Sequence, residues 1–482
     1  MLLFVQMLIH KHLGRGLLVA LLGFSAAQQS IGKTASQEGN VTLTIPQARQ
    51  VALNALRSQN PRLTLHIAGG LLQRDARDSL AYFMIAQASQ QLGEPNTGRR
   101  AAARAFQFSK SKEDKYASSQ LAARLSYDAK RYTLAQYWLR RSVNFVQTPQ
   151  QRQQIASDYK RLRAENPWNT QLRFSIAPSS NVNAGSDTNL STIEGVPVVG
   201  ILSRSAQALS GVVGVADTST SYRFSQSTNH SAYVTGRIYS RQIQLSSAAR
   251  RAVPAVRNKD FSATAVELGL KYVFRTGMQG GKQGEKRGGL STLNAIIGKN
   301  WYGGDPSSVF SRLGYAHSLS AGKRTRLTFS GSYERRDYNA TGRAPTFITR
   351  VMGSARHRFK DGGAVQFGLF ANNTTSTWVN TSSISATAHL SYEMGNPIGP
   401  AMVSFGIGAT YQDFSNYSVG FIVVPGGRQD SVAFASVAAT FNTLDYAGFV
   451  PKVTLRAQKN NSNISRFDTT QLSVSIGIQS SF

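Results

Sequence analysis

From about residue 171 to the end, apolar and polar side chains change places at every step. In the last segment, TQLSVSIGIQSSF, Leu472, Val474, Ile476, Ile478 and Phe482 share one face. Gln471, Ser473, Ser475, Gln479 and Ser481 take the other, and only Ser480 interrupts the apolar side. A period of two is the signature of a half-exposed β-strand. It predicts strands near 171–178, 209–224, 231–241, 261–274, 289–302, 308–318, 325–338, 347–359, 364–374, 382–392, 401–412, 431–442, 451–460 and 470–482. That is about fourteen, an even number, as single-chain bacterial barrels have. Connections alternate in length, with long loops at 179–208, 242–260, 334–346 and 412–430. Short turns stand at Ser320–Lys323, Lys360–Gly363 and Gly395–Pro400. The stretch 275–288 and the link from Gly303 to Pro306 run against that alternation.

Between residues 46 and 165 the period is helical. Pro46 stands in a first turn, and Val51, Leu53 and Leu56 follow on roughly one face. Tyr82 and Tyr116, Ala88 and Ala122, and Ala101 and Ala135 are each 34 residues apart. That interval is the period of tetratricopeptide (TPR) repeats, paired helices that stack into a concave peptide-binding surface. The segment departs from the repeat where Ser119 replaces the opening Trp and Lys130 the turn Gly. An ordinary helical hairpin array accounts for the same pattern. Asn166-Pro167 ends the helical region.

The first 27 residues carry Lys11 and Arg15, an apolar run from Leu17 to Phe24, and the small residues Ser25-Ala26-Ala27. They read as a secretory signal. The expected organisation is a signal peptide at 1–27, a linker at 28–45, a TPR-like helical periplasmic domain at 46–165 and an antiparallel outer-membrane β-barrel at 171–482.

Composition narrows the picture. A mean hydropathy of −0.25 argues against a bundle of membrane helices, but not against a barrel whose strands are half apolar. The 482 residues contain no cysteine and carry a formal charge of +30. From residue 171 onward about thirty basic side chains face about fifteen acidic ones. The strand period sets Arg237, Lys271, Arg326, Arg356, Arg358, Lys452 and Arg456 opposite the apolar face, in the lumen of a barrel. A cation at mid-bilayer on the lipid side would cost about 2–4 kcal/mol. Lys299 is the exception, beside Trp301 at a girdle position where its stem can snorkel. The surplus charge also suits anionic lipopolysaccharide at the rim. The seven histidines show no metal-ligand spacing. No catalytic motif, cofactor site or metal site is expected, nor a nucleic-acid partner.

The ending S-I-G-I-Q-S-S-F, with Gly477 and a terminal Phe482, resembles the C-terminal signal read by the barrel-assembly machinery of outer membranes. The stretch I-A-P-S-S-N-V-N at 176–183 resembles the barrel start of the surface lipoprotein assembly modulator (Slam) family, through Ala177, Pro178, Ser180, Asn181 and Asn183. That resemblance implies an outer-membrane translocator with a periplasmic TPR domain. Its clients would be surface lipoproteins or soluble haem- or metal-capturing proteins. Asn181 and Asn183 would then shape the client path or a gate; the alternative, which Asn and Ser favour wherever they cluster, is turn formation in an extracellular loop. A TPR-linked polysaccharide-export porin and a diffusion porin or adhesin are the competing functions, and an outer-membrane hydrolase is a more distant one.

Overall fold

The computed structural model describes residues 42–277, 288–444, 446 and 449–480. The expected signal peptide, most of the linker, the centre of the 275–288 connection and Phe482 lie outside them. Helices come first: α1 Ile45–Arg57, α2 Pro61–Arg74, α3 Ser79–Gln91, α4 Pro95–Phe108, α5 Lys112–Asp128, α6 Tyr132–Ser142 and α7 Pro149–Glu165. Their starts are written locally. Asn60, Asp78 and Ser111 accept from first-turn amides of α2, α3 and α5, and Thr148 with Gln151 forms a capping box on α7. Asp78 also bonds Arg49 at 2.7 Å, tying α3 to α1.

The helices stack because small residues let them approach. Ala86, Ala101, Ala102, Ala122 and Ala135 lie in one core with Leu125, Trp138 and Leu139. A Cβ on Gly98 would stand 3.0 Å from the Ala86 carbonyl oxygen, so α3 and α4 meet backbone to backbone there. Three helix–helix turns end on a left-handed residue: Gln59 (φ 57°), Gly93 (φ 72°) and Lys130 (φ 57°). Only Gly takes that conformation without steric cost.

The second part is a closed antiparallel barrel of fourteen strands. They are β1 Trp168–Ser179, β2 Gly211–Gln226, β3 His230–Leu245, β4 Ala263–Gly277, β5 Gly288–Tyr302, β6 Asp305–Ala321 and β7 Thr325–Tyr338. The rest are β8 Thr346–Arg358, β9 Ala364–Thr375, β10 Ser383–Glu393, β11 Met402–Phe414, β12 Arg428–Thr440, β13 Phe449–Ser462 and β14 Thr469–Ser480. Every strand pairs with its neighbour in sequence, and β14 returns to β1. Each expected strand is present, displaced by a few residues at its ends. The barrel begins at Trp168 rather than 171.

The apolar face points outward. Leu268, Ile297, Leu313, Leu369, Ile407 and Ile476 are each more than half exposed, mid-strand and in a continuous belt. Such an area in water would drive association; in lipid it is the required surface. Aromatic residues edge the belt, with Trp168, Tyr222 and Tyr392 toward the helices and Trp301 and Tyr411 toward the far end. Among the described residues no helix is long and apolar enough to cross a membrane. The strands do the crossing.

Helices and barrel join without a spacer. The Asn166 side chain donates to Thr133 (3.2 Å) and Gln136 (2.8 Å) and accepts from the Trp168 amide at 3.0 Å. Arg223 of β2 donates to the carbonyls of Ala164 and Glu165, both at 2.9 Å, where a helix C-terminus favours a cation. Arg140 of α6 lies 4.5 Å above the ring of Phe449 on β13.

Candidate functional site

The inward face of the barrel is the surface a cargo would meet, and its two sides differ. Along β1 to β8 runs an ion-pair ladder. Asp217 takes Arg237 at 2.8 Å and Arg173 at 3.9 Å. Glu267 lies 3.8 Å from Arg237 and 3.9 Å from Arg312. Glu334, whose side chain is fully buried, binds Arg312 (2.9 Å), Arg336 (2.6 Å) and Arg350 (2.9 Å). Strand β5 lies between Glu267 and Arg312 and offers Gly298 there; a Cβ on it would stand 2.5 Å from the Phe310 ring. The missing side chain is what lets the ladder cross. Three carboxylates thus hold five guanidinium groups, a surplus of cations on an enclosed surface.

The side formed by β9 to β11 carries mostly hydroxyls, glycine and few charges. Ser385, Thr387, Ser391, Ser404, Gly406, Gly408 and Thr410 all occupy inward register positions. Its principal ion pair is Arg356 with Glu393, at 2.5 Å.

Alternation alone sets the expected basic residues in place. Arg237 enters the ladder, and Lys271 stands 4.3 Å over the Tyr233 ring. Arg326 and Arg356 are register partners on neighbouring strands, and Arg358 follows at the end of β8. Arg456 packs 4.7 Å from the Phe434 ring, and Lys452 stands opposite Gly477. Lys299 is outward and lies 5.4 Å from the Trp301 ring. Sequence reading passed over Arg312, Arg336, Arg350 and the acids that hold them. The available signal was an acidic residue on the polar face of a strand, as at Asp217, Glu267 and Glu334.

Asn181 and Asn183 shape the loop after β1. Asn181 is buried and closes a ring with Gly185, donating to its carbonyl at 2.8 Å and accepting from its amide at 2.9 Å. Asn183 donates to the carbonyls of Ser205 and Gln207 and accepts from the Leu209 amide at 2.9 Å. Between them Val182 packs onto Leu209, Val213, Ile243 and Leu245, so the loop plugs part of the barrel mouth. Arg241 fastens it by donating to the Val182 carbonyl at 2.8 Å.

Loops at that end also pack on one another. Ile193, Val424 and Ile464, from three separate loops, form one apolar cluster. Asn380 bonds the Ser418 backbone both ways. Arg428 pairs with Asp430 and lies against the rings of Phe467 (3.3 Å) and Phe414 (4.7 Å). Among the described residues no cluster of His, Asp and Glu is arranged to hold a metal ion.

No protein-family model matches the chain, and no curated protein matches it by sequence. Solved structures similar to it include outer-membrane proteins. Acinetobacter baumannii OccAB3 has a TM-score of 0.34 at 6% identity, covering 64% of this chain and 98% of its own. The COG4313 outer membrane channel from Pseudomonas putida F1 has 0.33 at 7%, covering 64% and 95%. A loop-deletion mutant of OmpT, an outer membrane protein of Vibrio cholerae, has 0.31 at 7%, covering 65% and 99%.

Proposed function

We propose that the chain is a gated outer-membrane conduit for polypeptide. The helical array stands in the periplasm, takes up an extended or partly folded client and passes it to the barrel. The clients are surface lipoproteins or soluble haem- or metal-capturing proteins, as the Slam-like start of the barrel implies. The chain acts by transport, without a catalytic step or cofactor. It reaches the membrane through barrel-assembly machinery that reads Gly477 and Phe482, and lipopolysaccharide meets its basic rim.

One observation carries this reading. The array is bolted to the first two strands through Asn166 and Arg223, while loops at the opposite mouth pack on one another. A helical surface held at one end of a barrel whose far loops pack together suits delivery followed by gated release; a steadily open porin needs neither. Deleting the gene and comparing surface-exposed and secreted proteins tests the idea. One or more proteins should disappear from the surface or medium and return on complementation. If none changes location, the conduit reading fails.

The arginine ladder favours a second reading, passage of an acidic polymer or small anions along the basic side of the bore. Single-channel recording separates the two. A polypeptide gate stays mostly closed without client, whereas an anion channel conducts steadily and prefers chloride over potassium.

A further inference from the structure

The outer wall of the barrel carries its cations near one rim only. Among the described strand residues, three lysine or arginine side chains face outward: Lys299 on β5, Arg335 on β7 and Lys459 on β13. Each lies three residues short of its strand's far end, at Tyr302, Tyr338 and Ser462. Among the described residues, the half of the wall nearer the helices has none. Cations so close to the interface cost little, because their long stems reach the head-group level. Their confinement to one rim marks the leaflet they meet.

Two of the three stand together above a groove. Val309 is the register partner of both Lys299 and Asp337, so two strand spacings, about 10 Å, separate those residues. Arg335 is the next outward position below Asp337. That carboxylate takes the Nε and Nη2 of Arg335, at 3.2 and 3.0 Å, and leaves Nη1 without a hydrogen-bond partner among the described residues. The Lys299 ammonium rests 5.4 Å from the Trp301 ring and has no carboxylate partner among them. Below lies an outward groove of about 550 Å³, with Arg335 at its upper end. Leu268 and Ile297 form one wall and the stacked rings of Tyr333 and Phe347 the other; Ser311, small and between them, gives the floor. A second groove of about 770 Å³ shares Leu313 and Tyr333 with the first and continues toward the helices past Tyr315 and Gly331.

We propose that Lys299, Arg335 and the grooves beneath them bind a phosphorylated, multiply acylated lipid of the outer leaflet, the lipid A portion of lipopolysaccharide. Its phosphate sits between the Lys299 ammonium and the open Nη1 edge of Arg335, a planar donor suited to phosphate oxygens. Its acyl chains lie in the grooves against the leucine, isoleucine and aromatic side chains. Charge complementarity selects the occupant, since a zwitterionic phospholipid brings similar chains but neutralises its own phosphate. The proposal gives the lipid contact of the basic rim a defined place. It rests on the helices standing in the periplasm, which sets Lys299 in the outer leaflet, and is indifferent to what passes through the bore.

Native mass spectrometry of the full chain in detergent, with purified diphosphoryl lipid A as the probe, tests the site. Lipid A should stay on the barrel and dioleoyl phosphatidylethanolamine should not. Excess inorganic phosphate should fail to displace it, because the grooves hold the chains. The double variant Lys299→Gln, Arg335→Gln should lower occupancy about tenfold, whereas Lys459→Gln, away from the grooves, should keep it within about twofold. Should the double variant fail to show the heat-modifiable gel mobility of a folded barrel, Lys299→Gln alone takes its place, with a loss of about threefold. Equal retention of both lipids, displacement by phosphate, unchanged occupancy in the variants, or an equal loss in Lys459→Gln overturns the proposal. Orientation is read separately. The chain has no cysteine, so Phe421→Cys, at a fully exposed residue between β11 and β12, places a unique thiol at the far end. A membrane-impermeant maleimide should label it in intact cells. Labelling without lipid A binding sinks the site alone; labelling only after lysis sinks the periplasmic placement of the helices and the site with it.

Discussion

Leu125 and Leu313 are the same side chain in opposite surroundings. Leu125 is fully buried among alanines and aromatic rings of the helical array, while Leu313 is 64% exposed at the middle of β6. Glu334 completes the inversion: in the barrel it is a carboxylate that is fully buried. The array keeps its apolar groups together because water surrounds it. The barrel turns them outward because lipid does, and its interior becomes the place where polar groups must satisfy one another. A core residue is therefore defined by its solvent, and the two halves should fail in different ways.

The largest effect expected is from Glu334→Ala. It strands Arg312, Arg336 and Arg350 on an enclosed surface, and breaking a buried pair costs about 3–5 kcal/mol. Urea unfolding of the detergent-solubilised barrel, followed by gel mobility, should show it, and Glu334→Gln should lose less. Next is Leu125→Ala, at about 2–5 kcal/mol for a cavity in the array. Helical circular dichroism should melt earlier while barrel mobility stays unchanged. Leu313→Lys places a cation on the lipid face at about 2–4 kcal/mol. It should lower the yield of folded barrel and leave the helical melt alone. If Leu125→Ala destabilised the barrel and the array equally, the halves would be one cooperative unit and the contrast would be lost.

Two smaller effects sharpen the picture of the array. The Tyr127 hydroxyl donates to Glu165 at 2.7 Å, and this bond pushes its pKa up from 10.0 to about 12. A phenol that holds its proton more tightly when folded contributes fully below the unfolded value and loses that contribution as pH rises through the folded one. Helical stability should therefore fall between pH 10 and 12, and Tyr127→Phe should remove this part of the decline. Lys130→Gly relieves a left-handed residue at the α5–α6 turn, where the α3–α4 turn already has Gly93. It should stabilise the array by up to about 1 kcal/mol, read as a higher melting temperature.

Much of this architecture is legible along the chain. The fourteen strands and their inward and outward faces follow from side-chain alternation, since a strand's face is set residue by residue. Asn166-Pro167 stands between α7, which ends at Glu165, and β1, which starts at Trp168. The two connections that break the length alternation stand where the sequence put them: 278–287 links β4 to β5, and Gly303-Gly304 links β5 to β6. Illegible were the small strand pairs 190–193 with 196–201 and 418–419 with 422–423, and the short helix Ser247–Ala252. Each is too brief to carry a period and is held by neighbouring loops. The wiring of Asn181 and Asn183 was equally hidden, because their partners lie on the backbone, which has no sequence signature.

What the sequence by itself determined is which side of each strand is greasy, because that property is local and repeats every two residues. Only the tertiary structure decided that Glu334 gathers arginines from β6, β7 and β8, that loops far apart in the chain pack on one another at one mouth, and that β14 meets β1. Those facts depend on closure, which brings residue 174 to residue 478. No pattern within a single strand encodes where the ring of strands meets itself.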